Sequence, residues 1–202
     1  MAYHHGDLRR ALLQGAIELL AEGGPANLTM RGAAQRAGVS PAAPYRHFTD
    51  KRAMLAAVAE EGFLALERSC LSAVADGVEA PIEAFWHRGV AYVQFAIENP
   101  AHYRVMFGPE IPDKREYDDL YRAASTAYEA LRSSLLACVS AGFFGEDEVE
   151  IRAMRAWAVV HGLASLFIDG QFNVQDAISK QAFLVRVGAV LRLEAQVLEK
   201  GA

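Results

Sequence analysis

The chain has 202 residues, 52% of them hydrophobic, enough to bury one large or two small cores. No uninterrupted apolar run approaches the ~18 residues of a membrane span, and the opening Met-Ala-Tyr-His-His-Gly-Asp lacks a secretory pattern, so a cytoplasmic protein with no membrane partner is expected. The net charge of −5 is uneven: residues 1–59 carry seven Lys and Arg against four Asp and Glu, a balance of +3, whereas residues 60–202 carry thirteen against twenty-one, a balance of −8. A basic end on an acidic body suits a protein that meets phosphates with one face, because counterion release rewards local charge. Ordinary scatter of surface charges is the plainer account.

Asp7 is placed to cap a first helix from Leu8 to Glu22, whose Leu8, Leu12, Ile17, Leu19 and Leu20 give a broad apolar face, and Gly23-Gly24-Pro25 stops it. Thr29 then caps a helix from Met30 to about Ala37, its hydroxyl accepting from a free N–H of the first turn. Gly38 ends that helix, since it takes positive φ without a Cβ penalty. Val39 is the apolar residue of the turn, Ser40 caps the next helix, and Pro41 takes its first position, where no N–H is needed. The resulting short helix, about Pro41 to His47, has the form of a recognition helix for a DNA major groove. A longer helix begins near Lys51 and runs through Leu55, Val58, Phe63 and Leu66 to Val74, ended by Asp76-Gly77, and so joins the basic end to the rest.

In the body, Pro81 restarts a helix that reaches Glu98 and breaks at Asn99-Pro100, because the residue before proline is pushed out of the helical region. Pro100 opens a short helix to about Phe107, residues 108–112 form a loop with two prolines, and a long helix is expected from Lys114 to Ala141. Glu146-Asp147-Glu148 puts negative charge at the start of a helix to Ile168. The last helix runs from Val174 or Gln175 to about Leu198. The expectation is therefore an all-α protein of about nine helices. Cys70 and Cys138, inside apolar helical stretches, read as small buried hydrophobes, with a redox-sensing pair as the alternative.

The segment from Thr29 to Lys51 resembles the DNA-binding domain of the TetR family of bacterial transcriptional regulators. Thr29, Ala34, the Ala37-Gly38-Val39-Ser40 turn, Tyr45, His47-Phe48 and Lys51 carry the likeness, which spans roughly residues 7–58. Trp157-Ala158-Val159-Val160-His161-Gly162-Leu163 also resembles one C-terminal subclass of the family. The resemblance implies a helix-turn-helix domain over 1–52 and a helical effector-binding and dimerisation domain over 53–202. It also implies a homodimer, usually a repressor, whose partners are an operator DNA, itself and a small molecule.

Tyr45, His47 and Lys51 match the family's phosphate-contacting positions; Tyr45 packed inside the domain and His47 on an ordinary surface is the alternative. Phe48 reads as a core residue. Pro41, Ala42 and Pro44 lack hydrogen-bonding side chains, which leaves contact with thymine methyls, and Pro44 departs from the larger residue common at that family position. Arg31 is the candidate for guanine recognition through its fork, or else a phosphate clamp; Arg46 is a second candidate. Tyr3, His4 and His5 form either a DNA-reaching arm or a frayed terminus.

Ala158, Gly162 and Ser165 lie on one helix face where small residues let another helix approach. By the family likeness they belong, with Phe183, Val187, Val190 and Leu191, to a four-helix dimer interface. Candidate ligand-lining residues are Phe85, Trp86, Tyr92 and His102, then Tyr103, Met106 and Phe107, then Tyr128, Trp157 and His161, though most aromatics at helical spacing are core. A ligand for such walls is apolar or aromatic. The six histidines show no metal-ligand spacing, and no Gly-x-Ser-x-Gly elbow or phosphate-cradling loop occurs, so neither enzyme nor metal nor cofactor is expected. The rival within the same class is a helix-turn-helix regulator with no small-molecule effector, constitutive or controlled by a partner protein.

Overall fold

The computed structural model describes residues 5–74, 80–174 and 176–199. Eight α-helices and three 3₁₀ turns, with no strand among the described residues, give the expected all-α architecture. The helices are α1 (His5–Asn27), α2 (Met30–Arg36), α3 (Lys51–Ser72), α4 (Pro81–Glu98), α5 (Pro100–Phe107), α6 (Asp118–Ser140), α7 (Val149–Ile168) and α8 (Ala177–Glu199). The predicted ends at Asp76-Gly77 and Gln175, the capping side chain of Asp7, and the Tyr3-His4-His5 arm lie outside what is described.

Three boundaries differ from the sequence reading. α1 starts at His5, before Leu8, and its regular part ends where predicted: Gly23 and Gly24 leave helical geometry, Gly24 at φ 66°, before a last turn through Pro25. The long helix expected from Lys114 begins at Asp118, because Asp113 accepts from the Arg115 backbone N–H at 2.9 Å and from its guanidinium at 2.8 Å, closing a separate 3₁₀ turn at Lys114–Glu116. α8 begins at Ala177 because Asp176 caps it: its carboxylate accepts from Ser179 N–H at 2.7 Å, and the Ser179 hydroxyl accepts from Asp176 N–H at 3.2 Å. That reciprocal pair was readable as Asp-x-x-Ser.

The chain forms two compact units, residues 1–64 with 99–124 and residues 65–98 with 125–202. The divisions fall inside α3, between Leu64 and Ala65, and inside α6, between Ala124 and Ser125. In the first unit α1 packs on α2 and α5. Leu12, Ala16, Leu28, Met54 and Val58 are wholly buried there. Gly15 sets the closeness of α1 to α2, since a Cβ on it would fall 2.8 Å from Arg36 Cβ and 2.9 Å from the Ala33 carbonyl. In the second unit α4 is the central helix, packing on both α7 and α8. Leu191 meets α4 at Gly89, where a Cβ would lie 2.8 Å from its Cδ1.

Residues 146–168 are long and apolar enough, at mean hydropathy 1.3, to cross a membrane by composition alone, yet they hold the Arg152–Glu148 pair and pack on α4. Ile151, Met154 and Leu166 stay exposed on it, so this helix keeps an open apolar face.

Candidate nucleic-acid interface and ligand region

Local backbone chemistry builds the helix-turn-helix as the sequence predicts up to Ser40. The Thr29 hydroxyl accepts from Gly32 N–H at 2.9 Å, capping α2. Gly38 sits at φ 67°, the left-handed conformation a side chain disfavours, and Val39 N–H returns to the Ala34 carbonyl at 3.0 Å. Beyond the turn the structure corrects the prediction. The recognition segment is a 3₁₀ helix, Ala43–Arg46, after a turn at Pro41-Ala42, and not an α-helix from Pro41 to His47. The Ser40 carbonyl accepts from Ala43 N–H at 2.9 Å, so the turn closes through backbone, and Pro44 rather than Pro41 fills the early helical position.

Pro44 is also the residue whose predicted role the geometry opposes. Its ring is fully buried, with Ala43 and Phe48, so it packs the domain interior and cannot face thymine methyls. Two adjacent small residues and a second proline leave too short a segment for a full helical turn facing outward. Pro41 and Ala42 stay exposed, as do Thr29, Arg31, Ser40, Tyr45 and Arg46, with Lys51 and His47 half-buried. Tyr45 is 57% exposed, so it is not an interior residue. Phe48 is buried as predicted, with the Arg9 guanidinium 5.7 Å from its ring centre.

The charges of this region sort into two sets. Arg9 pairs with Glu60 at 3.6 Å, Arg36 with Glu22 at 2.8 Å and Glu18 at 3.5 Å, and Arg52 with Glu116 at 3.7 Å. The Arg36 guanidinium beside Glu22 holds that carboxyl below its ordinary range. Arg10, Arg31, Arg46 and Lys51 have no ion pair among the described residues. Asp50, missed by the sequence reading, caps α3 by accepting from Ala53 N–H at 2.8 Å and thereby fixes Lys51 in the first turn. An Asp immediately before the helical run was its signal.

The expected ligand residues divide between the two units. Tyr103 and Met106 are buried in the first unit, Met106 so close to Gly62 that a Cβ there would fall 2.6 Å from its sulfur, which makes both core and not cavity wall. Phe107 stacks between Tyr103 at 4.9 Å and Phe63 at 5.4 Å. Burial lowers the pKa of His102 below its ordinary 6.5, against a smaller opposing pull from Glu61, and its Nε2 is buried without a partner among the described residues.

The second unit brings the others together. The Tyr92 hydroxyl and His161 Nδ1 lie 3.2 Å apart, and the Trp157 ring is 6.1 Å from both His161 and Tyr128. Phe85 packs on the cluster of Leu135, Val149 and Ala153, and Trp86 on Ile82 and Cys138. Burial pushes the Cys70 thiol up to about 11 and raises Cys138, away from the reactive thiolate form.

The predicted dimer residues separate by helix face. Phe183, Val187 and Leu191, spaced by four, turn inward, Phe183 against Phe167 and Phe172 at 5.1 and 4.9 Å; they are core of this chain and not an open interface. The alternate face of α8 leaves Ile178, Val185, Val190 and Leu193 exposed, and α7 leaves Met154 and Ala158 exposed with Gly162 open to solvent. Ser165 is half-buried.

Residues 12–58 match the family model of bacterial regulatory proteins of the tetR family, and residues 86–187 match the tetracyclin repressor-like C-terminal domain. The chain belongs to the TetR family: it is a helix-turn-helix DNA-binding transcriptional regulator. Among its relatives is a nucleoid occlusion factor, SlmA, of Marinobacter nauticus, 29% identical over 136 residues that cover 66% of this chain and 67% of that one. A solved Rhodococcus sp. RHA1 protein of unknown function superposes with a TM-score of 0.79 at 29% identity, covering 100% of this chain and 98% of that one. The fold is shared with the TetR family regulator PfmR of Thermus thermophilus (TM-score 0.68, 22% identity, 94% and 97% coverage). It is shared as well with the fatty acid degradation regulator FadR of Bacillus halodurans (TM-score 0.75, 13% identity, 98% coverage of each).

Proposed function

We infer that the protein is a cytoplasmic repressor, released from a pseudo-palindromic operator by a small, largely apolar ligand. Residues 1–52 form the DNA-reading head, and residues 53–202 bind the effector and dimerise. The observation that carries the DNA assignment is the set of unpaired cations, Arg31, Arg46 and Lys51, around an exposed Tyr45 on one helix-turn-helix. Tyr45, His47 and Lys51 hold phosphates, Arg31 and Arg46 reach base edges, and Thr29 and Ser40 present hydroxyls to the backbone. Pro41 and Ala42 supply apolar contact.

Dimerisation uses the outer faces of α7 and α8, which leave Met154, Ile178, Val185 and Leu193 each more than half exposed. Ala158 and Gly162 admit the partner helix there. An effector enters among Phe85, Tyr92, Tyr128, Trp157 and His161 in the second unit. Because α3 is one continuous helix with residues in both units, a ligand that displaces its Ala65–Ser72 end changes the spacing of two recognition segments. The ligand must bind the DNA-free state more tightly for this to work, and a coupling of ~1–3 kcal/mol suffices.

Selection of bound sites from random duplexes, followed by titration of the protein–operator complex with compounds that raise its melting temperature, tests the reading. Paired half-sites and loss of operator affinity with at least one stabilising compound are expected; stabilisers that all leave operator affinity unchanged defeat the effector mechanism. A second reading, a regulator governed by a partner protein or constitutive, has the likeness to a nucleoid occlusion factor behind it.

A further inference from the structure

Arg88 of α4 is a partly buried cation of the second unit that no carboxylate pairs among the described residues. Its Nη1 donates to the Ser134 hydroxyl, which in turn donates to the Ala130 carbonyl at 2.8 Å, so Ser134 is a neutral acceptor with its own bond already made. The Nε is buried and has no partner, and no carboxylate pairs with the guanidinium among the described residues. Two other arginines of the unit do have carboxylates. Arg132 is held by Glu129 at 2.9 Å and Glu150 at 2.7 Å, and Arg152 by Glu148 at 2.5 Å. A partly buried cation without an anion bears a desolvation cost that a counter-charge would relieve.

The unpartnered edge of Arg88 has a defined chemistry. With Nη1 occupied, the Nε–Nη2 edge remains, and that edge matches the two oxygens of a carboxylate. Phe85, Arg88 and Tyr92 stand at i, i+3 and i+7, one stripe of α4. One end of the stripe packs on the apolar cluster of Leu135 and Val149, and the other reaches His161 through the Tyr92 hydroxyl. His161 lies below its ordinary pKa of 6.5 because of burial, so it stays neutral at pH 7 and supplies no competing positive charge.

We propose that Arg88 is the head-group anchor of the effector region, and that the ligand taken there is an apolar or aromatic molecule ending in a carboxylate. This deepens the effector reading above and rests on it for the regulatory consequence, but not for the binding itself. Ser134 positions Arg88, since its hydroxyl fixes Nη1 and so aims the opposite edge.

The test measures binding to the free full-length protein, by calorimetry and Trp fluorescence, with two matched pairs of probes: decanoate against decanamide, and 2-naphthoate against 2-naphthamide. The carboxylate of at least one pair should bind about tenfold or more tightly than its amide, the effect of one charge-assisted bidentate pair. Arg88→Met should collapse that ratio to about one while leaving amide binding within a small factor, and Arg88→Lys should keep a preference. The unliganded Arg88→Met protein should melt no lower than wild type, because an unpaired charge has been removed. Neither carboxylate exceeding its amide, or a preference that survives Arg88→Met, overturns the assignment. A marked fall in the melting point of unliganded Arg88→Met does so too, showing Arg88 to be a structural group. Carboxylate binding through Arg88 that leaves operator affinity unchanged would defeat the effector mechanism alone; operator release by neutral ligands with no carboxylate preference would defeat this inference alone.

Discussion

The two compact units expose opposite kinds of surface. On the first, four cations of the helix-turn-helix and its flanks, Arg10, Arg31, Arg46 and Lys51, stand without ion pairs among the described residues, while Arg9, Arg36 and Arg52 are neutralised by glutamates. On the second, large apolar side chains are left in solvent, Ile178 at 84% and Ile151 and Met154 at 68%, among cations of which some, Arg132 and Arg152, are tied to carboxylates and Arg88 is not. A surface with unpaired charge of one sign favours phosphates through counterion release, whereas large exposed apolar area favours another protein surface. The contrast is what supports the proposed division, with DNA at one unit and self-association at the other.

The largest effect that would break this separation comes from the cores. Phe48→Ala removes a buried ring behind the recognition segment and should destabilise the protein by about 3–5 kcal/mol. Phe183→Ala, in the second unit, should cost a similar amount. Where the variants remain folded, Phe48→Ala should lose operator binding but keep the dimer, and Phe183→Ala should weaken the dimer first; sedimentation and anisotropy on both proteins decide it. Identical loss of both properties in both variants would show that the units do not divide the work.

Next in size is Tyr45→Ala with Lys51→Ala. Two charge-assisted or hydroxyl contacts to phosphate are together worth about 3 kcal/mol, on the order of a hundredfold in affinity. The loss should be the same on every sequence, and the slope of log affinity against log salt should fall by about 0.9 for the one cation removed. Arg31→Ala should instead relax discrimination at particular base pairs by ~1–3 kcal/mol. A folded double variant with wild-type affinity would remove these residues from the interface.

What the sequence made legible follows from how local each determinant is. Thr29, Gly38 and the Gly23-Gly24 break each fix backbone within four residues of themselves, so cap, turn and stop could all be read directly. Phe48 was legible because, unlike the exposed Tyr45 three residues earlier, it has no polar group to present to solvent or phosphate and so belongs in the interior. Pro44 was not: whether its ring points to DNA or into the core depends on how tightly the 3₁₀ segment seats on α2, which neighbouring residues do not encode. The same limit explains Phe183, Val187 and Leu191. An α8 apolar on both faces offers no sequence criterion for which stripe meets α4 and which stays open. Arg88 went unremarked for a related reason, since a single arginine in an aromatic helix reveals nothing until the absence of a carboxylate around it can be seen.

A smaller expected effect sharpens the assignment of α7. A Cβ on Gly162 meets nothing within 4 Å in its own chain, and leucine is the better helix former by close to 1 kcal/mol. Gly162→Leu should therefore leave the monomer's stability unchanged or raised while weakening a dimer packed at that position by ~1–3 kcal/mol. Sedimentation equilibrium gives the second quantity and denaturation at low protein concentration the first. A dimer as tight as wild type would move the interface off Gly162.

The smallest effect concerns the two capped helix starts. Thr29 caps α2 through Gly32 N–H, and Asp176 caps α8 through Ser179 N–H. Thr29→Ala should cost about 1 kcal/mol in stability, the usual value for a lost N-cap. Asp176→Ala should loosen the first turn of α8 in the same direction. The two differ in consequence. Thr29 is exposed beside Arg31 on the surface assigned to DNA, so its loss should lower operator affinity beyond what the stability change explains, while Asp176→Ala should leave operator affinity untouched. The Asp176 carboxyl is held below its ordinary value of 3.8 chiefly by the Ser179 N–H, so its stabilisation is complete above that pH and is lost as pH falls through the lowered value. Thr29 has no titration, and an acid-melting profile that Thr29→Ala leaves parallel to wild type but Asp176→Ala flattens would separate the two caps; equal flattening by both would show that the profile does not report on α8.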